Sequence, residues 1–212
     1  MLTTPFSSLS RLNRMTLLLV SGLLAVMGLA FLALHASASR AATVQPQSDN
    51  PVVTAAQLRT VEQSAQGFDF GNRLNPNVVY IFFDPKCPHC RHLWDHVQPL
   101  ATRAHYIWVP VALLGPDSTT QAEAILGATD PVAAMDANER DHAVGGENAP
   151  GLVPTAAQTA RWAPIVARNT ALLASLGVRG VPFMVRQDHG GHILTVLGDP
   201  QQNYLDLFLP AP

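Results

Sequence analysis

The first long apolar run, "MTLLLVSGLLAVMGLAFLAL" from Met15 to Leu34, carries no charge and follows Arg11 and Arg14. Its length lies between the roughly 7–15 residues of a secretory core and the roughly 20 of a spanning helix. Residues 1–41 therefore read as a signal peptide or an uncleaved signal anchor, and small-residue patterns at Ala36-Ser37-Ala38 and Ser39-Arg40-Ala41 offer cleavage sites. In either case the positive flank stays inside and everything after Arg40 faces the exported side. Residues 42–53 are polar and contain prolines, which predicts a linker leading away from the membrane.

Beyond the linker the pattern alternates between helical and extended periods. "TAAQLRTVEQSAQ" has Thr54 as an N-cap and good helix formers behind it, and Gly67 to Asn77 breaks the period, so 54–77 reads as a short helix and a loop. "VVYIFFD", Val78 to Asp84, is a continuous β-branched and aromatic run suited to a strand buried on both faces. From Cys87 the positions Cys90, Leu93, Trp94, Val97 and Leu100 recur at helical spacing as far as Ala104, with Pro99 as a kink. "HYIWVPVALL" is a second buried strand. An alanine-rich helical stretch, Thr119 to Val144, is interrupted at Asp130-Pro131, and another helix runs from Ala156 to Leu176, ended by Gly177. "PFMVRQ" and "HILTVLG" form a hairpin across "DHGG", and a short helix closes the chain around Gln201 to Phe208.

That order predicts an α/β fold over 78–212: a mixed sheet flanked by helices, with a helical insertion at about 116–176. In such a layout Cys87 and Cys90 sit where a central strand ends and a helix begins, the position at which open α/β sheets place their chemistry.

Charged residues make up 13% of the chain and the net charge is −2, so no basic field is available to hold nucleic acid. Cys87 and Cys90 are the only cysteines. The exported side is oxidising, and the loop they would close is too small to restrain the unfolded chain, so a purely stabilising disulfide is a poor explanation for them.

A thiolate is stabilised at a helix N-terminus by unpaired N–H groups and by the macrodipole. Cys87 holds that position. Pro88 suits the first turn, and Lys86 and His89 bring positive charge toward the sulfur. Cys90, one turn on and deeper, is the poorer nucleophile, which predicts that Cys87 exchanges with partners and Cys90 resolves the mixed disulfide. Two other readings compete. The pair could be inert buried thiols, or Cys87, Cys90, His92 and His96 could ligate a metal in a C-x2-C-x-H-x3-H string. Residues two apart on a helix do not meet, so His92 and His96 read better as surface residues, and neither a metal nor a cofactor is called for. Asp84 is read as a cap for the helix start in preference to a proton acceptor for Cys90. Val181-Pro182 opens a strand, where proline is tolerated, and base rates favour a trans bond there.

"VVYIFFDPKCPHCRHLW", "QPLA", "VALLGPDSTTQAEAILGATDP" and "LASLGVRGVPFMV" resemble the thioredoxin superfamily, most closely its exported DsbG- and DsbC-like branch. The likeness covers most of Thr54 to Asp199. It implies a thioredoxin fold, a cis Pro182 against the Cys87 sulfur, and a Val181 backbone that pairs with substrate as an added strand. Three features depart from that branch. An N-terminal dimerisation domain finds no room between Arg40 and Thr54, which favours a monomer. Pro88-His89 and Val181 are the residues usual in DsbA-type oxidases. The expected function is thiol:disulfide interchange on exported proteins with cysteines, in the periplasm, recycled by a DsbB-like or DsbD-like membrane partner. The alternatives are a reductase or isomerase using the same residues, a zinc or copper metallochaperone, and a module that binds substrate without turnover.

Overall fold

The computed structural model describes residues 50–146 and 149–209. The targeting segment expected over 1–41, and the linker as far as residue 49, lie outside them. Among the described residues no helix is long and apolar enough to cross a membrane.

Helix α1, Ala55–Ser64, starts where the sequence places it: the Thr54 hydroxyl accepts from the Gln57 N–H, and the Gln57 side chain accepts from the Thr54 N–H. The segment read as a loop contains a strand, β1 (Phe68–Gly71), antiparallel to β3 (His105–Pro110), with Phe68 opposite Trp108. Three residues between two glycines are too few to show a period, and only the distant partner strand fixes their conformation. A Cβ at Gly67 would lie 2.0 Å from the Trp108 carbonyl oxygen, so only glycine lets the chain approach β3 this closely.

Strand β2, Val78–Phe83, runs parallel to β3 through helix α2, Pro88–Val97. Helix α2 ends seven residues short of Ala104. Pro99 has no N–H to continue the ladder, and the chain passes into a single 3₁₀ turn at Gln98–Leu100. Strand β3 also ends early. After Pro110 the chain leaves the ladder, with the Val111 N–H still donating to the Phe83 carbonyl at 2.8 Å.

Three helices make up the insertion: α3 (Pro116–Gly127), α4 (Pro131–Gly145, capped by Asp130) and α5 (Ala156–Ser175, opened by a Thr155–Gln158 capping box). The hairpin of β4 (Phe183–Gln187) and β5 (Ile193–Leu197) follows, then α6 (Gln202–Phe208).

The sheet order is β1-β3-β2-β4-β5, with β2 antiparallel to β4 and β4 to β5. Central β2 is therefore covered on both faces, as its unbroken apolar run requires. Val79, Ile81 and Phe83 pack with Leu93, Trp94 and Val97 of α2, while Tyr80 and Phe82 pack with Leu58 and Val61 of α1 and Leu172 and Leu173 of α5. Trp94 pins α2 to the sheet. Its ring stands edge-on to Trp108 at 5.0 Å, and Trp108 meets Phe83 at 5.5 Å in the same manner. The Trp94 indole N–H donates to Asp136 at 2.8 Å, tying α2 to the insertion as well.

Trp94→Ala should cost about 3–5 kcal/mol, read as a shift of the denaturant midpoint. A loss below about 1 kcal/mol would show that α2 is held some other way.

Candidate active site

Cys87 is the N-cap of α2 and Pro88 its first residue, so the helix opens on the sulfur. No side chain caps this end. The Cys87 carbonyl accepts from the Cys90 N–H at 3.0 Å and from the Arg91 N–H at 3.2 Å, which starts the helical ladder. Both sulfurs are free thiols. They differ in surroundings: Cys87 keeps 7% of its surface, while Cys90 has none.

That difference separates their acidities. The Cys90 thiol donates a hydrogen bond to the Cys87 sulfur, and the backbone N–H groups of Cys90 and His89 add to it; burial and the Asp84 carboxylate oppose them, leaving Cys87 at about 7. Burial, and the same sulfur-to-sulfur bond read from the other side, push Cys90 well above the ordinary thiol value. One proton held between two sulfurs therefore rests on the inner one. The outer sulfur is left as the nucleophile.

Asp84 does not cap α2. Its carboxylate is fully buried and accepts from the Lys86 N–H at 2.9 Å, from the Leu113 N–H at 2.7 Å and from the Leu114 N–H at 2.9 Å. The helix begins at Pro88, four residues after Asp84, with no side-chain cap, and the carboxylate instead joins the turn before Cys87 to the loop after β3. Lys86 also differs from expectation. Its ammonium pairs with Asp117 at 3.1 Å, and what lowers Cys87 is the Cys90 sulfur bond first and the backbone N–H groups after it, in place of the Lys86 charge. The His89 side chain is exposed, and its contribution comes through its N–H.

Val181 and Pro182 come to the dithiol from the far side. The Val181–Pro182 bond is cis, as the family likeness implies and base rates alone do not. The Cys87 thiol donates to the Val181 carbonyl at 3.6 Å. His92 and His96 turn away toward Asp199, at 3.8 and 3.2 Å, and among the described residues no three His, Cys, Asp or Glu side chains converge as a metal site would require.

No family model matches the chain. The thiol:disulfide interchange protein DsbG of Pseudomonas aeruginosa is 31% identical over 147 residues, 68% of this chain and 55% of that protein. The protein of the same name from Escherichia coli is 27% identical over 154 residues, 70% of this chain and 58% of that protein. A periplasmic thioredoxin-like protein from Salmonella enterica serovar Typhimurium superposes with a TM-score of 0.56 at 16% identity, over 74% of this chain and 95% of that one. The chain is a DsbG-like member of the thioredoxin superfamily. It spans less than two thirds of the length of the curated DsbG proteins it matches.

This DsbG-like site has supports that sequence reasoning missed. Buried Asn138 of α4 donates to the Pro85 carbonyl at 3.0 Å and steadies the turn before Cys87. Its neighbour Glu139 is buried in a cavity that Cys87 also lines. A signal was present: Met135, Asn138, Glu139 and His142 share the inward face of α4, so polar residues occupy helical positions that ordinarily go to the core.

The thiolate absorbance of the reduced protein near 240 nm should rise with a midpoint of about 7 and vanish in Cys87→Ser. Cys90→Ala, which removes the thiol donor, should move that midpoint up. Lys86→Ala should move it less. A larger shift from the lysine than from Cys90 would reverse the ranking of causes.

Proposed function

We propose that the chain is a thiol:disulfide oxidoreductase of the periplasm, acting on exported proteins with cysteines through Cys87-Pro88-His89-Cys90. The observation that carries this reading is the asymmetry of the sulfurs: Cys87 is partly accessible with a value of about 7, and Cys90 is sealed and held far higher. The DsbG proteins it resembles bear the name thiol:disulfide interchange, and the Arg-flanked apolar segment before residue 41 supports export, by a cleaved or an uncleaved leader.

In the reducing direction the Cys87 thiolate attacks a substrate disulfide, expels one substrate sulfur and forms a mixed disulfide. Cys90 then loses its proton and attacks Cys87, releasing the second substrate sulfur and leaving Cys87–Cys90 oxidised. In the oxidising direction a substrate thiolate attacks the Cys87–Cys90 disulfide at Cys87, and a second substrate thiol completes the exchange. Val181 and Pro182 line the approach to Cys87, and their backbone is the edge along which an extended substrate segment would pair. Asp84, Pro88, Lys86 and His89 shape the loop and its electrostatics. The chain is read as a monomer, and a DsbB-like or DsbD-like membrane protein would reset the dithiol.

Reduction or isomerisation in the manner of DsbG uses the same residues, so potential decides the direction. A Cys87 value of about 7 matches that of thioredoxin's attacking cysteine and lies well above DsbA's, about 3.5, so the acidity alone does not favour an oxidant and the direction rests on the potential. Equilibration with a glutathione couple tests this: a potential as low as thioredoxin's, about −270 mV, would make the protein a reductant. Trapping names the substrates. Cys90→Ala should accumulate mixed disulfides through Cys87 with exported proteins, and Cys87→Ser should accumulate none. Equal capture by both variants would point to a binding module without exchange chemistry.

A further inference from the structure

A cavity of about 120 Å³ opens beside the dithiol, lined by Pro85, Lys86, Cys87, Pro88, Arg91, Glu139, His142 and Gly146. Glu139 stands out among these groups. It is 5% exposed, and its Oε1 has no hydrogen-bond partner. A buried carboxyl oxygen without a partner is costly, and one on a residue that lines the same cavity as the reacting cysteine calls for an explanation in the chemistry.

A second cavity, of about 300 Å³, lies on the outer side of the same residue, lined by Arg91, Trp94, Asp95, Gln98, Asp136, Glu139, Arg140 and Ala143. Glu139 and Arg91 are the residues common to both. The carboxyl therefore stands in the wall between the redox cavity and a pocket edged by the exposed side chains of Asp95 and Arg140. A group so placed can give a proton to one side and regain it from the other.

We infer that Glu139 is the proton donor to the substrate sulfur expelled when Cys87 forms the mixed disulfide, and is reprotonated through the outer cavity. This rests on the thiol-exchange reading above. The step balances as follows. The Cys87 thiolate forms a bond to one sulfur of the substrate disulfide, the S–S bond breaks, and its electron pair passes to the second sulfur, which takes the Glu139 proton and leaves as a thiol. Cys87 is oxidised to the mixed disulfide and the leaving sulfur is reduced. The Glu139 carboxylate then recovers a proton from water. In reverse, the carboxylate accepts the proton of an attacking substrate thiol.

The electrostatics suit the role. Burial raises Glu139 to about 8, against the opposing pull of Asn138 and Arg91 and with smaller help from Asp95 and Cys87. The remaining charged or titratable groups lining the two cavities are Lys86, paired with Asp117, His142, bonded to Gln121 and the Gly146 carbonyl, Asp136, which accepts from the Trp94 indole, and the exposed Arg140. A carboxyl that keeps its proton at pH 7 and releases it near 8 is matched to a leaving thiolate whose own value is about 8.5.

The test uses the reduced full chain and two small disulfides. Oxidised glutathione expels a basic thiolate that benefits from a proton; the bis-nitrobenzoate disulfide expels one stable without it. In Glu139→Gln at pH 7 the ratio of the nitrobenzoate rate to the glutathione rate should rise about 10-fold over the unsubstituted chain. A merely structural role would slow both together, and a ratio unchanged within about twofold overturns the proposal. Should the variant not fold, the unsubstituted chain supplies the same readout. Its ratio should climb as pH rises through about 8, where Glu139 loses its proton, and a flat ratio across that range overturns the proposal too. Failure of the parent reading looks different: Cys87 of the unsubstituted chain would then exchange with neither disulfide.

Discussion

The proton shared by the two sulfurs rests on Cys90 because a charge there would be wholly desolvated, and that preference is what makes Cys87 a thiolate near neutral pH. The rest of the architecture keeps the inequality in place. Cys90 is sealed because α2 lies flat on the sheet, and α2 lies flat because Trp94 is wedged against Trp108 and bonded to Asp136. Cys87 keeps its small exposed edge, 7% of its surface, while it caps the helix and Asp84 and Asn138 grip the turn that delivers it. Lys86, whose charge looks well placed in the sequence, spends it on Asp117.

The parts of the fold governed by local pattern were legible in the sequence. The double-sided run of β2, the Thr54 cap, and the helix that begins at the dithiol all follow from residues close to one another in the chain. What was not legible depends on partners far along the chain. Phe68–Gly71 is a strand only because β3 offers it an edge, and the role of Asp84 lies with the N–H groups of Leu113 and Leu114. The early end of α2 was half legible: Pro99 announced a break, and the structure makes that break a terminus in place of a kink.

At the site, the cysteines and Pro88 could be found from spacing and compartment, and the cis bond at Pro182 only from family likeness. Glu139 gave a weaker sign. An acidic residue in an alanine-rich helix usually faces water, and only the packing of α4 against the redox loop turns it inward. The insertion therefore belongs to the centre as much as the sheet does. It supplies Glu139, His142 and Gly146 to the cavity beside Cys87, and the Asn138 amide to the turn before it.

Asn138 gives the insertion a further meaning. Its amide holds the Pro85 carbonyl, and its own carbonyl accepts from the Leu152 N–H at 3.4 Å, so one buried side chain bridges the redox turn, α4 and the segment leading to α5. Freeing any one of the three strands a polar group away from water, at a cost of about 1–3 kcal/mol. Opening of the dithiol turn is thereby coupled through Asn138 to α4 and to the segment before α5, and carries that cost along with the loss of its own contacts.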